Sequence, residues 1–344
     1  MAQINKPSDY FNTVLYTGNG STQSITGVGF QPDFIWVKDR TSAYYHELQD
    51  IVRGAGKGLF SNDTLAEITG RTLYQFDSDG FSLDGSQSTT NVNGDNYVAW
   101  NWLSSNTTAS NTDGSITSTV SANTTSGFSI VGYTGNATTG ATIGHGLGVT
   151  PDVIIAKSRA SADNWGFFHS SFSSQQYMFL NTTAAKASAS SVWNALPGSS
   201  VFTVGDNASV NDNGNMIAYC FAEKKGFSKF GSYTGNGNAD GTFVYTGFKP
   251  AFVIMKRTDT TGNWLLFDNN RSSSGGSNLI QQYLYPNLND AEDSDATRGI
   301  DFLSNGFKQR NDFSAINASG GSYIYMAFAE QPLVGTNNIP ATAR

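Results

Sequence analysis

Three ordered phrases each occur three times in this 344-residue chain, and that repetition limits its possible folds more than any other feature. The first phrase is Tyr16-Thr17-Gly18-Asn19-Gly20, Tyr133-Thr134-Gly135-Asn136 and Tyr233-Thr234-Gly235-Asn236-Gly237, with the tyrosines 117 and 100 residues apart. The second is an apolar run from proline to lysine: Pro32 to Lys38, Pro151 to Lys157 and Pro250 to Lys256. The third closes each copy: Asn96 to Trp102, Asn215 to Phe221 and Ser322 to Phe328. A unit of about 100 residues is long enough for its own core, unlike a solenoid repeat of about 20–50 residues. The chain reads as three tandem domains, at 1–103, 127–226 and 227–332, with an irregular tail at 333–344. A single closed array of three units is the alternative.

Helical periodicity is weak. Aromatic and β-branched runs are punctuated by Gly, Asn, Asp and Ser, which predicts short strands joined by turns. Asn19-Gly20 is a hairpin signal, because both residues tolerate positive φ. After Pro32, alternation turns Phe34, Trp36 and Lys38 one way and Ile35 and Val37 the other. Both faces are apolar until the lysine, as in a central strand covered on both sides. The expected fold class is all-β, with three tandem antiparallel β-sandwiches. Residues 104–126 are nearly all Ser, Thr, Asn, Ala and Gly and read as a linker or extended arm.

A tryptophan stands eight residues beyond the lysine in two repeats, Trp165 and Trp264; the first repeat has His46 there, in Tyr44-Tyr45-His46-Glu47-Leu48. Tyr44, Tyr45, Trp165 and Trp264 are the candidates for surface contact. Trp100 and Trp102 read as core, because Tyr219/Phe221 and Met326/Phe328 replace them and methionine keeps bulk without a flat ring. The repeats diverge most between the tryptophan strand and the closing strand: Arg53 to Gly58, Ser170 to Ser174, Ser272 to Ser277 and the acidic Asp290 to Asp295. Loops that vary on a fixed frame often build binding surfaces. The recurring Lys38, Lys157 and Lys256 read as packed stems whose ammonium groups reach water, or else as charge contacts to a partner.

No reactive constellation emerges. The histidines His46, His145 and His169 do not recur between repeats, and no metal spacing is present, so catalytic, metal and cofactor sites are not expected. Asp77-Ser78-Asp79-Gly80 reads as a turn, with a calcium loop or a hydrolase carboxylate pair as lesser readings. Gly54-Ala55-Gly56-Lys57-Gly58 lacks the spacing and the hydroxyl residue of a phosphate loop. Cys220 stands alone in an apolar run, so it reads as a buried, inert thiol. The net charge of −7 and the lack of a basic cluster argue against nucleic acid. No apolar run approaches the ~18 residues of a membrane span. Met1 to Pro7 lacks the apolar stretch of a secretion signal, which fits assembly in a cytoplasm and release by lysis.

Several phrases combined resemble a module of tailed-bacteriophage virion proteins, such as those of marine and cyanobacterial phages. They are Tyr-Thr-Gly-Asn-Gly, the run from Gly29 to Arg40, Arg53-Gly54-Ala55-Gly56-Lys57, Asp77 to Phe81, Tyr97 to Trp102, and Gly320 to Glu330. The resemblance covers residues 11–332, with the second repeat departing most. It implies a concanavalin-, SPRY- or jelly-roll-like sandwich and a non-enzymatic structural role in the virion. The first expectation is a tail fibre or receptor-binding protein, homotrimeric, whose loops meet a host cell-surface glycan. The alternative is a capsid decoration or tail adaptor bound to other virion proteins. A polysaccharide-degrading enzyme is the minor third reading.

Overall fold

A computed structural model describes residues 3–272, 278–335 and 340–342. The tail residues 336–339 and most of the serine-glycine loop from Ser272 to Ser277 lie outside the described residues. Among the described residues the chain is all-β, and its strand ladders are antiparallel, with one isolated parallel bridge from Ile116 to Ile143. Each repeat lays out its landmarks in the same order. The tyrosine strand pairs with the closing strand, the closing strand with the proline-lysine strand, and that with the strand after the tryptophan position. In the first repeat these are Phe11–Thr17, Asn96–Trp102, Phe34–Asp39 and Glu47–Asp50. The registers agree as well: Trp36 lies opposite Trp100, Ile155 opposite Tyr219 and Ile254 opposite Met326.

Residues 104–126 are not a linker. Ala109–Asn111 and Ser118–Asn123 are strands that extend the second repeat's sheet to eight. Serine and threonine suit this edge because their hydroxyls find partners when covered. The hydroxyl groups of Ser104 and Ser121 bond each other at 2.6 Å, and Ser104 donates to Asp33 at 2.7 Å. A segment poor in large apolar groups can therefore still be ordered.

The proline-lysine strands are buried along both faces, as the alternation predicts. One face of each looks into its own repeat. Ile35 and Val37 pack with Leu73, Phe81 and Leu83 of the small sheet Thr22–Thr26, Gly80–Asp84 and Leu73–Asp77. Val253 and Met255 pack likewise with Phe302 and Phe307. The other face looks toward the remaining repeats. Phe34, Trp36, Trp100 and Trp102 share one cluster with Phe128, Ile155, Tyr219, Phe221, Phe252, Ile254, Met326 and Phe328.

Trp102, Phe221 and Phe328 hold equivalent places in the three closing strands and touch one another in a triangle. Their ring centroids lie 6.4, 5.5 and 5.8 Å apart. Three equivalent residues in mutual contact mark an internal pseudo-threefold axis. The void beside them is only about 10 Å³ and its lining is apolar, so it stays dry. The repeats thus share a core and form the closed array, not three separately packed units. Burial drives this closure, since truncating a buried tryptophan or phenylalanine typically costs about 3–5 kcal/mol.

The recurring Tyr-Thr-Gly-Asn phrase also has a physical reason. In each repeat the tyrosine hydroxyl donates to a backbone carbonyl: Thr90, Val210 or Ile316, at 2.7, 2.5 and 2.8 Å. The next residue each time is a buried asparagine, Asn91, Asn211 or Asn317. Its carboxamide oxygen accepts the backbone N–H of Asn19, Asn136 or Asn236 at 3.0 Å. The glycine between is required by close approach. A Cβ on Gly18, Gly135 or Gly235 would lie 2.1, 2.0 or 2.3 Å from a carbonyl oxygen.

Candidate functional site at the repeat boundaries

Among the described residues, the two ion pairs with both side chains fully buried lie where one repeat meets the next. Asp50 ends a strand of the first repeat, and Arg53 follows in the turn three residues on, so both reach the same boundary. Their side chains are fully buried and 2.5 Å apart. Tyr219 of the second repeat donates its hydroxyl to Asp50 at 2.8 Å. Glu67 extends the network, receiving Arg159 of the second repeat through two bonds of 2.9 Å. Burial pushes the Glu67 carboxyl up, but Arg159 and Arg53 outweigh it and hold it below the usual glutamate range.

The boundary from the third repeat to the first repeats this design. Asp268 and Arg271 are buried 2.5 Å apart, and Trp100 of the first repeat donates its indole N–H to Asp268 at 3.0 Å. Glu292 takes Arg271 and, bidentately, Arg40 of the first repeat. The Arg271 guanidinium also lies 5.6 Å from the centroid of the Trp100 ring.

The second-to-third boundary keeps the geometry and changes the chemistry. Backbone bonds align Glu67, Lys186 and Glu292 as equivalents: each donates its N–H to Arg159, Thr258 or Arg40 of the adjoining repeat, at 3.1, 2.9 and 3.0 Å. The acid Asp50 or Asp268 is replaced by His169, the arginine by Phe172, and the donor Tyr219 or Trp100 by Met326. His169 Nε2 donates to the Tyr325 carbonyl at 3.2 Å, and its Nδ1 accepts the Ser171 N–H at 3.0 Å. Burial pushes its pKa down to about 4, which keeps the ring neutral. Five positions differ together, each consistent with the others.

The divergent loops are therefore largely committed inward. Arg53, Phe172 and Glu292 differ between repeats because they build different boundaries. Trp165 and Trp264 are 0% and 1% exposed and unavailable to an outside ligand. Their indole N–H groups instead cross a boundary, Trp165 to Phe60 at 2.8 Å and Trp264 to Phe179 at 3.3 Å. The short apolar run that each opens could not distinguish a buried cross-repeat contact from an exposed ring. Tyr44 and Tyr45 do reach the surface, at 37% and 36% exposure. The Tyr45 phenol donates to the Asp63 carboxylate, which raises the phenol pKa.

The three lysines do not reach water. Each is fully buried, with its ammonium on backbone carbonyls. Lys38 also reaches Asn289 of the third repeat, and Lys256 reaches Thr183 of the second. Burial lowers all three to about 8. For Lys38 and Lys256 the charge contact is thus to the adjoining repeat, while Lys157 stays on Ser158 and Ser161 of its own. A recurring lysine at a strand end was the available signal, but its target lay about 70 to 250 residues away in sequence.

The remaining candidates are structural where the geometry reaches them. Asp79 sits in the turn between the strands Leu73–Asp77 and Gly80–Asp84, where its carboxylate accepts the N–H groups of Gly27 and Gly29, and Asp77 accepts the Ser82 hydroxyl. Lys57 opens a strand, so its glycine-rich segment leads into no helix N-terminus. Cys220 is buried, which pushes its thiol pKa up. No group of three or more His, Cys, Asp or Glu able to hold a metal occurs among the described residues. No helix among them is long and apolar enough to cross a membrane.

The family described as Domain of unknown function (DUF7483) matches residues 6–332. No curated protein and no solved structure matches the chain.

Proposed function

We propose that this chain, which belongs to the DUF7483 family, is a non-enzymatic structural protein of a bacteriophage particle, built from concanavalin-like sandwiches and serving in host contact at the tail. The observation that carries the structural part is where the ionisable groups go. Asp50, Arg53, Glu67, Asp268, Arg271 and Glu292, with Lys38 and Lys256, hold repeats to one another. A frame closed in this way resists local opening, which suits a part that bears load. The phage part rests on the sequence resemblance.

Host contact would fall to the first repeat. It carries six of the ten exposed large apolar side chains found among the described residues: Leu15, Tyr44, Tyr45, Leu65, Ile68 and Tyr74. Exposed tyrosines offer a flat apolar face and a polar tip, a common feature of recognition surfaces. Fibre proteins assemble as homotrimers under this reading, with other virion proteins at the opposite end.

Cryo-electron microscopy of the particle tests it. Density at a tail tip supports the assignment. Density spread over the capsid replaces it with a decoration or adaptor role, and absence from the particle ends the virion reading altogether.

A further inference from the structure

Two clefts sit at equivalent places, one between the first and second repeats and one between the second and third. Arg159, Thr134 and Asn215 in the former correspond to Thr258, Thr234 and Ser322 in the latter. In the former, the cation Arg159 is neutralised by Glu67 at 2.9 Å. In the latter, the cation has moved to the glutamate's position as Lys186, and threonine stands where the arginine was. Lys186 is half-buried and has no ion-pair partner among the described residues; its ammonium rests 5.6 Å from the Phe172 ring centroid. The neighbouring Arg257 and Asp259 satisfy each other at 2.8 Å and do not compete for it.

The rest of the lining is hydroxyl-rich. Ser171, Ser232, Thr234 and Ser322 are exposed, and none of their hydroxyls has a protein partner among the described residues. The cleft measures about 270 Å³, close to the ~300 Å³ at which small-ligand sites begin.

We infer that this cleft binds an acidic sugar, a single carboxylate-bearing saccharide residue whose charge meets Lys186 and whose hydroxyls meet the serines and threonines. A phosphate fits less well, because the cleft offers one point charge and no guanidinium fork. An uncharged sugar would leave the lysine unanswered. The inference stands on the difference between the two clefts and does not depend on the virion assignment.

The experiment is titration of the purified full chain with glucuronate, glucose and inorganic phosphate, followed by calorimetry or ligand-observed NMR. Glucuronate should bind in the millimolar range expected of one small ligand, and ahead of glucose and phosphate. Lys186→Met should weaken it about tenfold or more, the scale of a lost charge-assisted bond, while Lys186→Arg retains most of it. Ser322→Ala should weaken it less. Unchanged thermal melting of Lys186→Met shows that the loss is local. Equal binding of glucose, preference for phosphate, no binding at all, or binding indifferent to Lys186→Met would each overturn the inference.

Discussion

The Tyr219 hydroxyl donates to the Asp50 carboxylate at 2.8 Å, across a boundary between two repeats and over 169 residues of sequence. Its counterpart is the Trp100 N–H on Asp268, 3.0 Å away. Where the third counterpart would stand, Met326 has no donor and His169 needs none. Donor and acceptor have changed together, so each boundary is a matched set.

Breaking one member of a matched set should cost more than exchanging the whole set. Asp50→Ala leaves Arg53 buried without its carboxylate and should destabilise the chain by about 3–5 kcal/mol in urea denaturation. Installing the second-to-third set at that boundary (Asp50→His, Arg53→Phe, Glu67→Lys, Arg159→Thr and Tyr219→Met) should cost less than Asp50→Ala alone. A larger loss for the fivefold variant would mean that the sets are not interchangeable.

The asparagine clamp should be equally intolerant of substitution. Asn211 donates to the carbonyls of Thr138 and Gly205 and accepts the N–H of Asn136. Asn211→Ala strands these groups and should cost about 3 kcal/mol. Asn211→Asp should also destabilise, because a carboxylate cannot donate to the two carbonyls. Equal urea midpoints for wild type and Asn211→Asp would show that those donated bonds contribute nothing.

Two kinds of glycine should separate cleanly. Gly135→Ala drives a Cβ to 2.0 Å from the Asp212 carbonyl oxygen and should abolish the turn. Gly94→Ala meets nothing within 4 Å and carries only the strain of φ +87°, about 1–2 kcal/mol. Thermal melting of the two variants distinguishes steric from conformational need.

Stability should depend on pH in two opposite senses. Burial depresses His46, His145 and His169, so below pH 6.5 the unfolded chain binds more protons than the folded one. Stability should fall from pH 6.5 toward 4, by about 3 kcal/mol from His169 alone, and His169→Gln should flatten that slope. The lysines act at the alkaline end. Their folded pKa near 8 lies below the unfolded value, so stability should rise from pH 8 toward 10. Above pH 10 the buried tyrosines, whose pKa values are raised, reverse the trend. A urea midpoint that falls between pH 8 and 10 would contradict the lysine assignment.

The strands and their faces were legible because period-two alternation is local: Phe34/Trp36 and Ile35/Val37 report two covered faces directly. The repeat was legible because Tyr-Thr-Gly-Asn is local too. What covers the outer face of the sheet holding Trp36 was not, since Phe252, which packs on Trp100 and Trp102, belongs to another repeat. The strands within 104–126 were hidden because serine serves an edge strand as readily as a loop, and the Ser121 hydroxyl meets Ser104 and Ser105 only once the segment has folded back on itself. The clamp asparagines were missed for want of a fixed spacing. They lie 75, 78 and 84 residues beyond their tyrosines, with divergent loops between. Each was detectable only as an asparagine four or five residues before its closing strand.

The two ends of the described chain meet. The Ile4 N–H donates to the Lys225 carbonyl at 3.0 Å, where the second repeat gives way to the third, and the Gln3 carboxamide reaches the Val334 carbonyl at 2.6 Å. A short peptide joining Gln3 to Val334 would close this stretch of backbone into a circle. A new opening near Asn106 would then yield a protein whose gene reads second, third, first while its ring is unaltered. The order in which the repeats are translated is a property of where the backbone is nicked, and the shape it closes into is indifferent to it.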